Sequence, residues 1–179
     1  IEVKIDEKKG TLHVIDKGIG MTKEEVETYL NQVAFSGASE FLKQYEGKVD
    51  DAGIIGHFGL GFYSAFMVAK KVDVITKSWK DEEAVKWTCD GSPEFSITKS
   101  KKTTRGTEII LHIDDESKEF LEEQRIAGIL DKYCKFLPVA IKFGTREIQV
   151  DDPKGEKDDD GNVKQVSKTV DNIVNNPEP

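Results

Sequence analysis

Gly56-His57-Phe58-Gly59-Leu60-Gly61-Phe62-Tyr63-Ser64 is a glycine-rich turn that runs into apolar residues at helical spacing, Phe62, Ala65, Phe66 and Ala69. Its glycines remove side chains where backbone must approach a ligand. The first turn of the helix expected over residues 62–69 offers unpaired N–H groups and a positive dipole end. That layout suits an anion, and phosphate is the natural guest. The spacing G-x-x-G-x-G is neither the dinucleotide fingerprint G-x-G-x-x-G nor a P-loop, which needs a Lys-Ser/Thr pair straight after its last glycine. Taken alone, the stretch reads equally well as a flexible loop at a helix entry.

A second motif decides between these readings. Apolar alternation in residues 1–5 and 11–16, around a turn at 7–10, predicts a β-hairpin. Its second strand ends in Asp16-Lys17-Gly18-Ile19-Gly20-Met21. A carboxylate at a strand end with two glycines behind it can accept a hydrogen bond from a base while the backbone closes around a flat ring. An isolated D-x-G is more often an Asx-turn, but the pairing with the downstream glycine turn favours a nucleotide. Thr22 and Glu25 form a capping box that starts a helix through Val26, Leu30 and Val33. Between the motifs, residues 34–55 have glycines at both ends, which is what a hinged lid needs; a plain surface excursion is the alternative.

The 179 residues, 37% hydrophobic and 34% charged, fit one soluble domain with a sizeable core. The longest apolar stretch, residues 60–69, is too short to span a bilayer and no signal peptide opens the chain, so a cytoplasmic setting without membrane contact is the default expectation. A net charge of −8 argues against nucleic acid as a partner. The basic run 99–105 reads as a solvated hairpin loop. A polyanion such as ATP would then be held by backbone amides and local dipoles rather than by overall charge. Cys89 and Cys134 read as reduced packing residues. His13, His57 and His112 stand singly, without metal-ligand spacing.

Downstream, residues 72–77, 84–89, 94–100 and 107–113 read as an antiparallel meander, with Gly106-Thr107 opening its last strand. A helix is expected over 119–136, with Phe120, Leu121, Ile126, Ile129, Leu130, Tyr133 and Phe136 as a core stripe. Two strands, 139–143 and 147–150, flank Gly144-Thr145. Residues 151–160 read as solvated linker, and 171–174 as a weakly paired strand. The expected fold is an α+β two-layer sandwich: a mixed, largely antiparallel sheet of about eight strands, helices on one face, and the ligand between the layers. Residues 1–150 would be the nucleotide-binding domain, and 151–179 a charged linker and the start of a connection to a following domain. Both ends of the chain read as cut.

With D-x-G-x-G-M, the A-F-S-G-A segment and I-G-H-F-G-L-G-F-Y-S-A-F in one chain, the sequence resembles the nucleotide-binding domain of the ninety-kilodalton heat-shock protein (HSP90) chaperones, most of all their bacterial branch. Either short motif alone points only to the wider ATP-binding fold, which also holds DNA gyrase B, MutL and the histidine kinases. The Phe-Tyr-Ser extension and the R-G-T strand point to the chaperones.

The resemblance implies that Asp16 takes the adenine amino hydrogen bond, that Gly20, Met21 and Leu30 line the base pocket, and that Thr107 reaches the base through water. It implies that Gly56, Phe58, Gly59, Leu60, Gly61 and Phe62 surround the phosphates, mostly through backbone N–H groups, and that residues 34–61 form the lid. The cofactors implied are ATP or ADP, with Mg2+ held through the phosphates. The partners implied are client proteins reached through other domains, in a homodimeric intact ATPase. No catalytic residue or direct metal ligand is expected here. The family's catalytic Glu and magnesium-binding Asn lie on a helix before the first strand, and its completing Arg lies in a following domain. The chain departs from the family at Tyr29, where an Asn is usual, and at Phe35, where a Lys is usual. Two alternatives are a histidine-kinase-type ATP-binding domain and a non-catalytic interaction domain that has lost nucleotide.

Overall fold

The computed structural model describes residues 1–31, 61–80, 82–151, 155 and 165–175. One eight-stranded sheet organises them, in the order β5-β4-β3-β6-β2-β1-β7-β8. The strands are β1 (Glu2–Asp6), β2 (Thr11–Ile15), β3 (Ala69–Lys77), β4 (Val85–Cys89), β5 (Phe95–Lys99), β6 (Gly106–Ile113), β7 (Lys142–Asp151) and β8 (Gln165–Ile173). Every neighbouring pair is antiparallel except β1 with β7. The expected mixed, largely antiparallel sheet is therefore what forms.

Period-two alternation divides the sheet into a covered and an open face. Val74 stands between Trp87 and Ile109, and Val14 between Ile109 and Val3. On this covered face, helix α1 (Lys23–Asn31) packs Val26 and Leu30 onto Val72, Val74, Val85 and Trp87. Helix α2 (Glu123–Cys134) packs Ile126 and Leu130 onto Val3, Ile141 and Phe143. The open face carries polar pairs instead. Asp73 accepts hydrogen bonds from Thr88 Oγ1 at 2.7 Å and pairs with His112 at 2.8 Å and Lys86 at 3.1 Å. Burial works to raise the Asp73 pKa, but these partners outweigh it and hold the carboxyl below its ordinary value.

Several expectations are corrected. Residues 61–67 form a 3-10 helix, Gly61–Met67, rather than an α-helix reaching Ala69, because Ala69 already opens β3. The helix expected over 119–136 is a 3-10 turn, Lys118–Leu121, then Glu122 in extended conformation, then α2. Tyr133 and Phe136 are exposed rather than core, with Lys132 and Lys135 lying over their rings. The four strands from β3 to β6 are not a simple meander. β6 returns to the free side of β3, so residues 99–105 cross between non-neighbouring strands instead of closing a hairpin. The strands expected at 139–143 and 147–150 are one continuous β7. Gly144 has φ 70° there and an extra residue shifts the register between Lys142 and Thr145, a β-bulge that bends the strand without ending it. The weak pairing expected at 171–174 is the end of the full-length strand β8.

Candidate functional site

The alternation that turns Leu12 and Val14 of β2 toward the covered face places Asp16 on that face one step further on. The same rule carries Ile109 to Thr107 on β6, and Val74 to Thr76 on β3. These three polar residues therefore end three adjacent strands at one level. Asp16 N–H donates to the Thr107 carbonyl at 2.8 Å, and Thr76 stands opposite Thr107 in the β3–β6 register.

The carboxylate is held through one oxygen. Asp16 Oδ1 accepts from the Gly18 amide at 2.7 Å and from the Thr107 amide at 3.3 Å. Among the described residues nothing bonds Oδ2, which leaves a fixed acceptor. Behind it, the Thr76 hydroxyl accepts from the Met21 amide at 2.9 Å and pairs with Thr107 Oγ1 at 3.1 Å. Thr76 is fully buried and Thr107 nearly so. The loop between them must run very close to the sheet. Gly20 has φ 66°, and a Cβ there would lie 1.9 Å from the Lys77 carbonyl oxygen; at Gly106, with φ 114°, it would lie 2.3 Å from that of Asp16. The second glycine of D-x-G-x-G-M and the glycine of R-G-T are thus required by backbone approach.

The capping box forms as its sequence implies. Thr22 N–H donates to Glu25 Oε2 at 2.8 Å, and Glu25 N–H to Thr22 Oγ1 at 3.2 Å. Lys80 adds a 2.7 Å ion pair to Glu25. Burial works to raise the Glu25 pKa, but Lys80 and the Thr22 amide outweigh it and hold the carboxyl below its ordinary value.

Met21 and Leu30 belong to the apolar cluster beneath α1, with Phe62 against them. The Phe62 ring packs edge-on to Trp87 at 5.6 Å. Tyr63 OH donates to the Leu30 carbonyl at 3.1 Å, and Trp87 Nε1 to Asn31 Oδ1 at 3.0 Å. These bonds tie the Gly61–Met67 segment and the end of α1 to the sheet. Gly61 opens that segment. Gly56, Phe58, Gly59 and Leu60 lie outside the described residues, as do Phe35, His57 and the greater part of the 34–61 segment. The structure therefore brings together Asp16, Gly20, Met21 and Thr107, with Leu30 and Phe62 in the adjoining core. Thr76 was missed by sequence reading: the Val72, Val74, Thr76 alternation gives its face, but only the pairing with Thr107 gives its role. A separate depression of about 520 Å3, lined by Lys4, His13, Ile15 and Glu108 among others, opens on the other face of the sheet and shares no residue with this site.

Residues 1–120 match the family model described as "Histidine kinase-, DNA gyrase B-, and HSP90-like ATPase". The chaperone protein HtpG of Bacteroides thetaiotaomicron is 55% identical over 100% of this chain and 24% of the relative. The HtpG of Porphyromonas gingivalis (strain ATCC 33277) is 54% identical over 93% of the chain and 24% of the relative. That of Shewanella sp. (strain ANA-3) is 43% identical over 88% of the chain and 25% of the relative. The chain spans about a quarter of the length of the curated relatives it matches.

Proposed function

We infer, from the premise that the chain belongs to the histidine kinase-, DNA gyrase B- and HSP90-like ATPase family, that it is the nucleotide-binding domain of an HSP90-type chaperone and takes ATP or ADP at Asp16. The observation that carries this is the half-occupied carboxylate: Oδ1 is fixed by two backbone amides while Oδ2 is left to accept. A purine amino group is a donor that matches it, and the Thr76–Thr107 hydroxyl pair supplies further polar contacts beside the base. Gly20, Met21 and Leu30 line the base pocket in this reading. Gly56, Phe58, Gly59, Leu60, Gly61 and Phe62 would cradle the phosphates, through which Mg2+ would be held, and residues 34–61 would close as a lid. The longer protein hydrolyses ATP, dimerises and works on client proteins in the cytoplasm.

Calorimetric titration with ADP and Mg2+ tests the site. Asp16→Asn keeps a carbonyl oxygen for the two amides but replaces the free acceptor with an NH2 donor, which repels the purine amino group. The unaltered chain is expected to bind, and the variant to bind at least about tenfold more weakly, near 1.4 kcal/mol, with an unchanged melting temperature. No heat at millimolar ADP from the unaltered chain overturns the reading and leaves a nucleotide-free interaction domain in its place.

A further inference from the structure

β1 meets β7 only at Lys142 and Phe143. Past the Gly144 bulge, residues 145–151 pair solely with residues 165–171 of β8. A two-stranded ribbon thus projects from the sheet edge, and such a ribbon is marginal in water without something packed on it. Its two faces are sharply sorted. The register sets Arg146 opposite Val170, Ile148 opposite Lys168 and Val150 opposite Val166. One face therefore carries four aliphatic side chains and two cations. The other face carries Glu147, Asp151 and Asp171, joined by polar contacts from Gln149 to Ser167 at 2.9 Å and from Gln165 to Asp151. None of the four aliphatic residues belongs to either core cluster. Among the described residues neither Arg146 nor Lys168 forms a salt bridge, whereas Lys142 on the acidic face bonds both Glu2 and Asp171.

We propose that the apolar face of this ribbon is a docking surface for an amphipathic protein helix with an apolar ridge bordered by carboxylates. Charge complementarity selects that occupant. In a chain of net charge −8, both cations of the ribbon stand on the apolar side and every carboxylate on the other. A second copy of the same face would set cations against cations. Size points to a helix. The patch runs roughly 14 Å along β7 and is two strands, about 5 Å, wide, which matches the contact stripe of a helix of about nine residues. Apolar residues at i, i+3, i+4 and i+7 would seat between the two cations. The patch is small, so the complex is weak and salt-sensitive.

The test uses the full chain and a labelled peptide of about 18 residues, with leucines at i, i+3, i+4 and i+7 and glutamates on either side, followed by fluorescence anisotropy. Binding is expected at low salt, about tenfold weaker in R146E/K168E and in I148S/V150S, and absent when lysines replace the peptide's glutamates. The ADP titration of both variants is expected to be unchanged, which separates this result from the nucleotide reading. No binding, or binding indifferent to the variants, overturns the proposal. Three rival occupants overturn it equally. Phosphatidylserine vesicles that bind through Arg146 and Lys168 while the peptide does not would assign a membrane. A dimer lost in I148S/V150S would assign a second copy. Peptide binding that emerges only in D158N/D159N/D160N would assign the chain's own acidic segment.

Discussion

Thr76 has no motif around it, yet its hydroxyl is where the loop after β2 is fastened to the sheet. It accepts from the Met21 amide and pairs with Thr107 Oγ1. Thr76→Val preserves shape and leaves the part-buried Met21 amide without its acceptor, a cost toward the lower end of about 1–3 kcal/mol. Urea unfolding is expected to show a midpoint lowered accordingly, ADP affinity to fall because the Thr107 hydroxyl loses its orienting partner, and Thr76→Ser to restore both. An unchanged midpoint in the valine variant would refute the fastening role. Asp16 and Thr107 were legible because each stands beside glycines whose presence needs a reason. Thr76 was not, because a threonine ending a run of valines reads as ordinary strand composition. Only the register, with Asp16, Thr107 and Thr76 side by side, gives it meaning.

Among the elements, α1 has the start most completely written in its residues. The Thr22–Glu25 box closes both reciprocal bonds, and Val26 and Leu30 turn its apolar stripe onto β3 and β4. Thr22→Ala is expected to cost about 1 kcal/mol, read as a drop of roughly 2–4 °C in melting temperature for a chain of this size. Thr22→Ser should recover most of it; equal melting of all three would mean that Lys80 alone holds the helix end. The hairpin β1–β2 and strands β3 to β6 were legible for a similarly local reason, period-two alternation bounded by turn residues. What misled were features that only tertiary contacts decide. Gly144-Thr145 looks like a turn in sequence, but pairing with β8 carries the strand through it as a bulge. Residues 119–136 hold helical periodicity throughout, yet Glu122 is extended and splits them. The placement of β6 beside β3 rather than β5 is a long-range pairing that no local pattern encodes.

At the scale of the molecule, the covered face holds two apolar clusters, one beneath α1 over β3 and β4, the other beneath α2 over β1 and β7. The strands β2 and β6 run between them, and the Asp16–Thr107–Thr76 group lies at the end of those strands on the α1 side. Cooperative units of a fold follow such clusters, and a ligand protects only the openings that would release it. Amide exchange with and without ADP therefore separates the two halves. The amides of Gly18, Met21 and Thr107 report the site directly, since their acceptors are Asp16 and Thr76. At ADP 100-fold above its dissociation constant these amides, with those of β3 and the neighbouring part of β6, are expected to exchange about 100-fold more slowly, near 2.7 kcal/mol. Amides of α2, β7 and β8 that exchange through opening of their own cluster should keep their rates. Equal slowing across both halves would mean that the sheet opens as one unit. Slowing confined to α2 and β7 would put the nucleotide under the wrong helix and remove the assignment of Asp16.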